Sequence, residues 1–307
     1  MIEQTPLARW AEFNRQKWQC TVMNTQFQTP QSEAYGECLF FLNKRNNFFL
    51  PPQNPYHPIM FHTSSTTKPY RINKQWHIVA NQMIDKLLKV RGSVILNLPP
   101  DISDIRPFTW RGFRADVKYT YCVDLPYSLE QASKAIRNKI RKAEAAGYRS
   151  IRSDNMEHVY QCLIETEKRQ GFSHQLSVQD LILARDLMGE DAFRCYICYS
   201  KDNEPVSANI SLILNQSQAI GWIAGSKSAH LSGGVVQHLQ AYEFKDLESI
   251  GITRFDFTGA NIASISESKS DWGGTLVPYY VIKKPGLKEV LRAGRYWYYF
   301  IKRLSQK

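Results

Sequence analysis

Apolar residues along the chain fall into two alternating periods, one of helices and one of strands, and the same order occurs twice. Near the start, Thr5 and Pro6 form an N-cap and first-turn pair ahead of a short helix reaching about Arg15. Extended segments follow. Cys38 to Asn43 and Asn47 to Leu50 flank Lys44-Arg45-Asn46 as a hairpin, which Pro51 and Pro52 close. Residues 53–70 read as a polar, proline-containing loop. Beyond it Trp76, Val79, Ala80, Met83, Leu87 and Leu88 recur at helical spacing up to Gly92, and Ser93 to Leu98 is a strand stopped by Pro99 and Pro100.

The second half repeats this grammar after an extra set of helices. Val117 to Leu125 reads as a linking strand. Asp154 with Glu157 predicts a capping box for a helix ending near Gly171, and Ser177 with Asp180 predicts another. Ala192 to Ser200 and Val206 to Leu214 are strands around the turn 201–204, Gln218 to Ala224 is a third strand, and a helix over 233–251 leads to a strand over 253–257. Hairpin, helix, strand thus occurs twice, which predicts two similar α/β halves with mixed sheets.

Composition sharpens this picture only in part. At 307 residues and 43% hydrophobic, the chain can bury a substantial core. Glu3, Arg9, Glu12, Arg15 and Lys17 break up the first twenty residues, unlike a signal peptide, and no run approaches the roughly 20 apolar residues of a membrane span. The expected location is therefore the cytoplasm. Cys195 and Cys198 lie three apart on a predicted strand, hence on opposite faces, and read as buried reduced thiols. The net charge of +11 favours anionic partners, among which nucleotide sugars, CoA, tRNA and an anionic membrane surface all carry phosphate.

Two segments carry the chemistry. Phe255 to Gly274, FDFTGANIASISESKSDWGG, joins a buried strand to a loop holding Lys269 among small and polar residues. Ser128 to Gly147, SLEQASKAIRNKIRKAEAAG, predicts a helix with Ser128 and Gln131 as its capping box. On it Ala132, Ile136, Ile140 and Ala143 share one face, and Lys134, Arg137, Asn138, Arg141 and Lys142 lie away from them. In this order the two segments resemble the Fem-type (FemAB/FemX-like) aminoacyltransferases and related bacterial polysaccharide-biosynthesis acyltransferases of the GNAT superfamily. The likeness covers about the last 190 residues. It departs from the family pattern at Asn138 and Lys139, where Arg-Asn is usual, and at Ala260, where a second Gly is usual. The resemblance implies an α/β fold of two tandem GNAT-like halves, with mixed β-sheets flanked by helices. The expected domains are 1–116, 117–285 with the motif, and a basic aromatic helix over 286–307.

Acyl transfer to an amine needs a neutral amine, a carbonyl held close, and positive charge or donors where its oxygen becomes negative. The resemblance puts Lys269 near the donor carbonyl; the other reading is a solvated loop lysine. Asp256, pointing opposite Phe255 and Phe257, either accepts the amine's proton or bonds loop amides. Thr258, Gly259 and Trp272 are candidate substrate-binding positions, with Gly259 permitting close approach. Arg137 and Arg141 either reach an acceptor phosphate or form a solvated face. Ser232, Gly233 and Gly234 stand where acetyl-CoA enzymes carry a phosphate-binding loop, and otherwise form the N-cap and turn of the following helix. His230 reads as an exposed loop histidine. No metal-ligand spacing, P-loop or nucleophile elbow is recognisable.

The segment 286–307 holds five consecutive aromatics, Tyr296 to Phe300, among basic residues. It suits an anionic membrane interface at the inner face, a contact with tRNA, or packing onto a sheet. The leading expectation is an N-acyltransferase moving an acyl group from acyl-CoA to the amine of a sugar-nucleotide or lipid-linked cell-envelope precursor. In this reading no cofactor is tightly bound and DNA is not a partner. The alternatives are an aminoacyl-tRNA-dependent peptidoglycan cross-bridge enzyme and a non-catalytic nucleic-acid or membrane-surface binder on a GNAT scaffold.

Overall fold

The computed structural model describes residues 5–30, 33–90, 92–215 and 217–284. In chain order the first elements are α1 (Pro6–Trp18), β1 (Thr21–Gln28), β2 (Tyr35–Leu42), β3 (Phe48–Phe49), β4 (Ile59–His62), α2 (Pro69–Lys89), β5 (Ile95–Asn97) and α3 (Arg106–Trp110). Then come β6 (Arg114–Asp124), α4 (Lys134–Ala145), β7 (Arg149–Arg152), α5 (Met156–Gln170), α6 (Val178–Ala192), β8 (Phe193–Tyr199) and β9 (Pro205–Leu212). The last are β10 (Gln218–Ser226), α7 (Val235–Ser249), β11 (Arg254–Asp256), α8 (Ala263–Ser270) and β12 (Thr275–Lys283). The basic aromatic helix expected over 286–307 lies outside the described residues.

The chain forms two compact units that do not follow its order. One holds 5–19, Pro51–Pro55 and Lys118–Pro278; the other holds Cys20–Leu50, Tyr56–Val117 and 279–284. The boundaries expected from sequence, 1–116 and 117–285, therefore differ from the contacts. The reason is long-range packing of α1. Leu7, Trp10 and Phe13 are buried on one face, Trp10 Nε1 donates to Asn54 Oδ1 at 2.8 Å, and its ring meets Trp222 edge-on at 5.5 Å. Periodicity marks such a face but does not say what covers it.

In the second unit β1 and β2 pair antiparallel from Thr21↔Leu42 to Gln28↔Tyr35, and β3 and β4 both pair with β2. β4 lies within the stretch expected to be loop, because four residues among prolines and histidines give no clear alternation. Trp76, Val79, Met83, Ile84 and Leu87 of α2 pack on Phe27, Cys38 and Phe40. Gly36 is required there, since a Cβ would meet Val79 Cγ1 at 2.5 Å. His57 is enclosed in this unit and stacks on Phe48; burial drives its imidazole down to about 3, so it is neutral.

The first unit carries a mixed sheet in the order β6-β11-β10-β9-β8-β7, in which β10 and β11 run parallel. Both faces are covered, and every residue of β8 and β9 is buried. The capping box of α6 forms as expected, with Ser177 Oγ accepting from the Asp180 amide at 3.2 Å. For α5 the cap is Asn155 rather than Asp154: its side chain accepts from the His158 amide at 3.1 Å. All six cysteines are buried thiols, and desolvation raises Cys198 to about 11. Among the described residues no helix is long and apolar enough to cross a membrane.

Candidate active site

The site begins where two parallel strands part. β10 and β11 are in register only from Gln218↔Arg254 to Ile220↔Asp256. Beyond that, β10 continues along β9 through a bulge between Gly221 and Ile223, while the other chain turns away through Thr258 and Gly259, both at positive φ (54 and 91°). Thr258 Oγ1 bridges the gap by donating to the Gly221 carbonyl at 2.6 Å. A cavity of about 450 Å³ adjoins this split, lined among others by His174, Trp222, Gln240, Glu243, Lys269 and Trp272. Parting strands leave backbone groups and side chains facing a void instead of one another.

Asp256 is 6% exposed and does not line this cavity. Its Oδ1 accepts from Thr120 Oγ1 at 2.5 Å and from the Thr258 amide at 2.7 Å, and the Gly259 amide donates to Thr120 Oγ1 at 3.0 Å. The carboxylate thus fastens the end of β11 to β6. Phe255 and Phe257 pack with Phe244 and, through Phe257, with Trp272.

Lys269 lies on α8, not in a loop as expected. The run ASISESKS has no apolar stripe to announce a helix, and Ile265 is 42% exposed. The helix folds Lys269 back onto the strand end. Its Nζ donates to the carbonyls of Phe257 (2.7 Å), Thr258 (3.2 Å) and Gly259 (2.6 Å), so all three N–H donors are engaged. Desolvation lowers its ammonium from 10.5 to about 8, opposed by the charge of Asp256. Trp272 is buried, and its carbonyl accepts from Tyr127 Oη at 2.5 Å. The following Gly273 has φ of 71°, and a Cβ there would sit 2.2 Å from the Gln131 carbonyl.

Sequence reasoning missed the carboxylate in the cavity. Glu243, on α7, is 1% exposed and held by Ser211 Oγ, by Asn209 Nδ2 at 2.8 Å and by Gln240 Nε2 at 2.9 Å. Burial pushes its carboxyl up to about 7 although all three donors favour the anion. A signal existed. Ser207, Asn209 and Ser211 alternate along one face of β9, Gln237, Gln240 and Glu243 recur every three residues on α7, and all six are buried. Two polar stripes on elements that are otherwise core mark a polar interior surface. Also missed was His174. The chain reverses after the left-handed cap Gly171 of α5, so that the His174 amide and Nδ1 both meet Glu167 Oε1, at 2.7 and 2.9 Å.

The other expected positions lie elsewhere. Helix α4 starts at Ser133, whose Oγ accepts from the Ile136 amide at 3.2 Å; Ser128 caps only a 3-10 turn over Leu129–Gln131, because Ala132 is extended. Arg137 Nη1 donates to the carbonyls of Glu130 (3.2 Å) and Ala132 (2.6 Å), tying that turn to the helix, whereas Arg141 is exposed. Neither lines the cavity. Ser232 and Gly233 belong to a 3-10 helix over Ser228–Gly233, and the N-cap of α7 is Gly234 in the left-handed region. A Cβ on Gly234 would lie 2.2 Å from the Lys139 carbonyl, and one on Gly233 would lie 3.0 Å from the Tyr148 ring. These glycines let α7 approach α4 and Tyr148, and the Gly234 amide donates to Leu231 O at 3.2 Å. They are packing positions as well as candidates for phosphate.

Comparison with known proteins agrees with this geometry. Residues 130–264 match the family described as acetyltransferase (GNAT) domain. A search of the curated proteins gave no match. Among solved structures, FemX is similar over 89% of this chain and 90% of its own, at 14% identity and a TM-score of 0.64. The C-terminal domain of a lysylphosphatidylglycerol synthetase from Agrobacterium fabrum is similar over 95% and 91%, at 12% identity and a TM-score of 0.60. The L-PGS structure from Bacillus licheniformis is similar over 94% and 96%, at 13% identity and a TM-score of 0.57. Residues 130–264 thus carry an acetyltransferase (GNAT) domain, and the chain as a whole has a mixed α/β fold similar to that of FemX.

Proposed function

We propose that this chain transfers an acyl group from an activated donor to the amine of a phosphorylated acceptor, a sugar nucleotide or lipid-linked precursor of the cell envelope. The observation that carries this reading is Glu243, a carboxylate enclosed beside the parted strands. An amine in water is an ammonium and does not attack. A carboxylate of four lone-pair sites that receives three donors has room for one more, and near neutral pH Glu243 can take a proton and release it. Lys269 would hold the 257–259 backbone against which the donor carbonyl rests, and Trp222 and Trp272 would wall the acyl group. The net charge of +11 and the exposed Arg141 support an acceptor bearing phosphate.

Acyl-CoA is the donor in this reading. A second reading, an aminoacyl ester such as aminoacyl-tRNA, is favoured by one observation: protein covers both Gly233 and Gly234 on their Cβ sides. Two structural relatives also carry a name that denotes an aminoacylated lipid. Localisation at the inner face of the membrane through 286–307 belongs to the same proposal.

The test is direct. The purified protein is offered acetyl-CoA or alanyl-tRNA with glucosamine 1-phosphate or anionic vesicles holding an amine lipid, and melting and product are followed. One donor should raise the melting temperature by mass action and give amide product. Glu243→Gln should lower kcat/KM by about 100-fold or more while keeping a cooperative melt. Turnover unchanged in that variant would remove Glu243 as the base.

A further inference from the structure

The cavity contains a second group able to carry protons that the scheme above leaves idle. His174 is 6% exposed and lines the same void, and its Nδ1 is fixed on Glu167 Oε1 at 2.9 Å. That oxygen also accepts the His174 amide at 2.7 Å, so it is an acceptor twice over, and the imidazole must donate to it from Nδ1. In the neutral ring Nε2 then carries the lone pair, and among the described residues it has no hydrogen-bond partner. Gln53 Nε2 donates to the His174 carbonyl at 3.0 Å while the Gln53 backbone carbonyl accepts from Trp222 Nε1 at 2.8 Å, so the backbone carrying the ring is anchored through Gln53 to the cavity's aromatic wall. A buried imidazole oriented by a carboxylate, with its second nitrogen open to a cavity, is the arrangement of a general base that later acts as an acid.

We propose that His174 is the proton shuttle of the transfer step. This rests on the acyl-transfer reading and adds a residue to it. Glu243 takes the first proton of the ammonium and passes it to solvent. The neutral nitrogen attacks the donor carbonyl, forming the C–N bond, and Nε2 of His174 accepts the second proton from that nitrogen. The imidazolium, stabilised by Glu167, gives this proton to the leaving oxygen or sulfur as its bond to carbon breaks. The products are an amide, a free alcohol or thiol, and one proton released to water. The shuttle matters most for an oxygen leaving group, because an alkoxide is far more basic than a thiolate.

The leaving group therefore provides the test. Transfer to glucosamine 1-phosphate is measured from acetyl-CoA and from 3′-O-acetyladenosine, with wild type, His174→Gln and Glu167→Gln. His174→Gln should lose about 100-fold in kcat with the ester and less than about 5-fold with the thioester, and Glu167→Gln should show the same contrast more weakly. Equal losses with both donors, or none, would overturn the shuttle. Ring ¹⁵N spectra, assigned by the missing resonance of His174→Gln, should show the Nδ1–H form in the wild type. A ring protonated only at Nε2 would overturn it independently. A wild type inactive with both donors counts against the proposed function, and the ring spectrum then decides whether His174 is arranged as described.

Discussion

Lys269 on α8 and Glu243 on α7 line one cavity, and burial pushes both toward the neutral form, the lysine from above and the carboxyl from below. What separates them is how much of each group is already used. The lysine's three donors all go to carbonyls of residues 257–259, twelve to ten positions before it in the chain. The carboxylate holds three donors in four places. A polar group with every bond taken builds the site, and one with a vacancy can act on a substrate. By this argument the motif lysine shapes the strand end, and the proposed chemistry is assigned to residues outside the motif.

The sharpest way to break the comparison is Lys269→Met. Removing the ammonium leaves three carbonyls without their donor, which should cost roughly 1–3 kcal/mol of stability. Because the donor carbonyl would rest on that backbone, kcat should fall about 10-fold by misplacement rather than by loss of charge. Chemical denaturation alongside steady-state kinetics measures both. A loss of about 100-fold at unchanged stability would instead restore the lysine as the group facing the oxyanion, as the motif alone implies.

A second test sharpens the contrast through pH. For Glu243 the folded value, about 7, lies above the ordinary 4.5, so between these the folded state binds more protons and stability falls as pH rises. For Lys269 the folded value, about 8, lies below 10.5, so between these the unfolded state binds more protons and stability rises with pH. Each limb has a slope of at most about 1.4 kcal/mol per pH unit. The two contributions together give a trough between pH 7 and 8. Glu243→Gln should flatten the acid limb only, and Lys269→Met the alkaline limb only; a variant that flattens both would mean that the groups titrate as one.

Sequence reading located elements better than it located chemistry, for reasons visible at particular residues. Helix α2 and the hairpin of β2 and β3 follow from side-chain period and turn residues, which are local. α1 was legible as a helix, yet its place with the later residues depends on Trp10 meeting Trp222, and no local pattern encodes that. α8 was hidden because serines and a single isoleucine give no stripe. At the candidate site, Phe255 to Gly274 led to Lys269, Thr258 and Trp272, all of which line the cavity. Asp256 was placed on the correct side of its strand, but that side faces Thr120. Glu243 and His174 escaped because their importance lies in partners far along the chain: Glu243 bonds residues 32 and 34 positions away, and His174 is turned onto Glu167 only by the left-handed Gly171.

The smallest expected effects concern the two arginines of α4, and they repeat the same contrast on the surface. Arg137 spends Nη1 on the carbonyls of Glu130 and Ala132, which joins the 3-10 turn to the helix start. Arg141, one turn further on, is exposed and carries its charge into solvent. If engaged groups build and open groups bind, Arg137→Ala should lower stability by about 1 kcal/mol and leave the acceptor KM within about 2-fold. Arg141→Ala should do the reverse, with an unchanged melt and an acceptor KM raised about 3- to 10-fold, because one charge-assisted phosphate contact is lost. The rise should shrink with added salt, since an exposed charge is screened over roughly 8 Å at physiological ionic strength. An acceptor KM that moves with Arg137 and not with Arg141 would show that the phosphate sits over the turn, and the rule drawn from Lys269 and Glu243 would not extend to this helix.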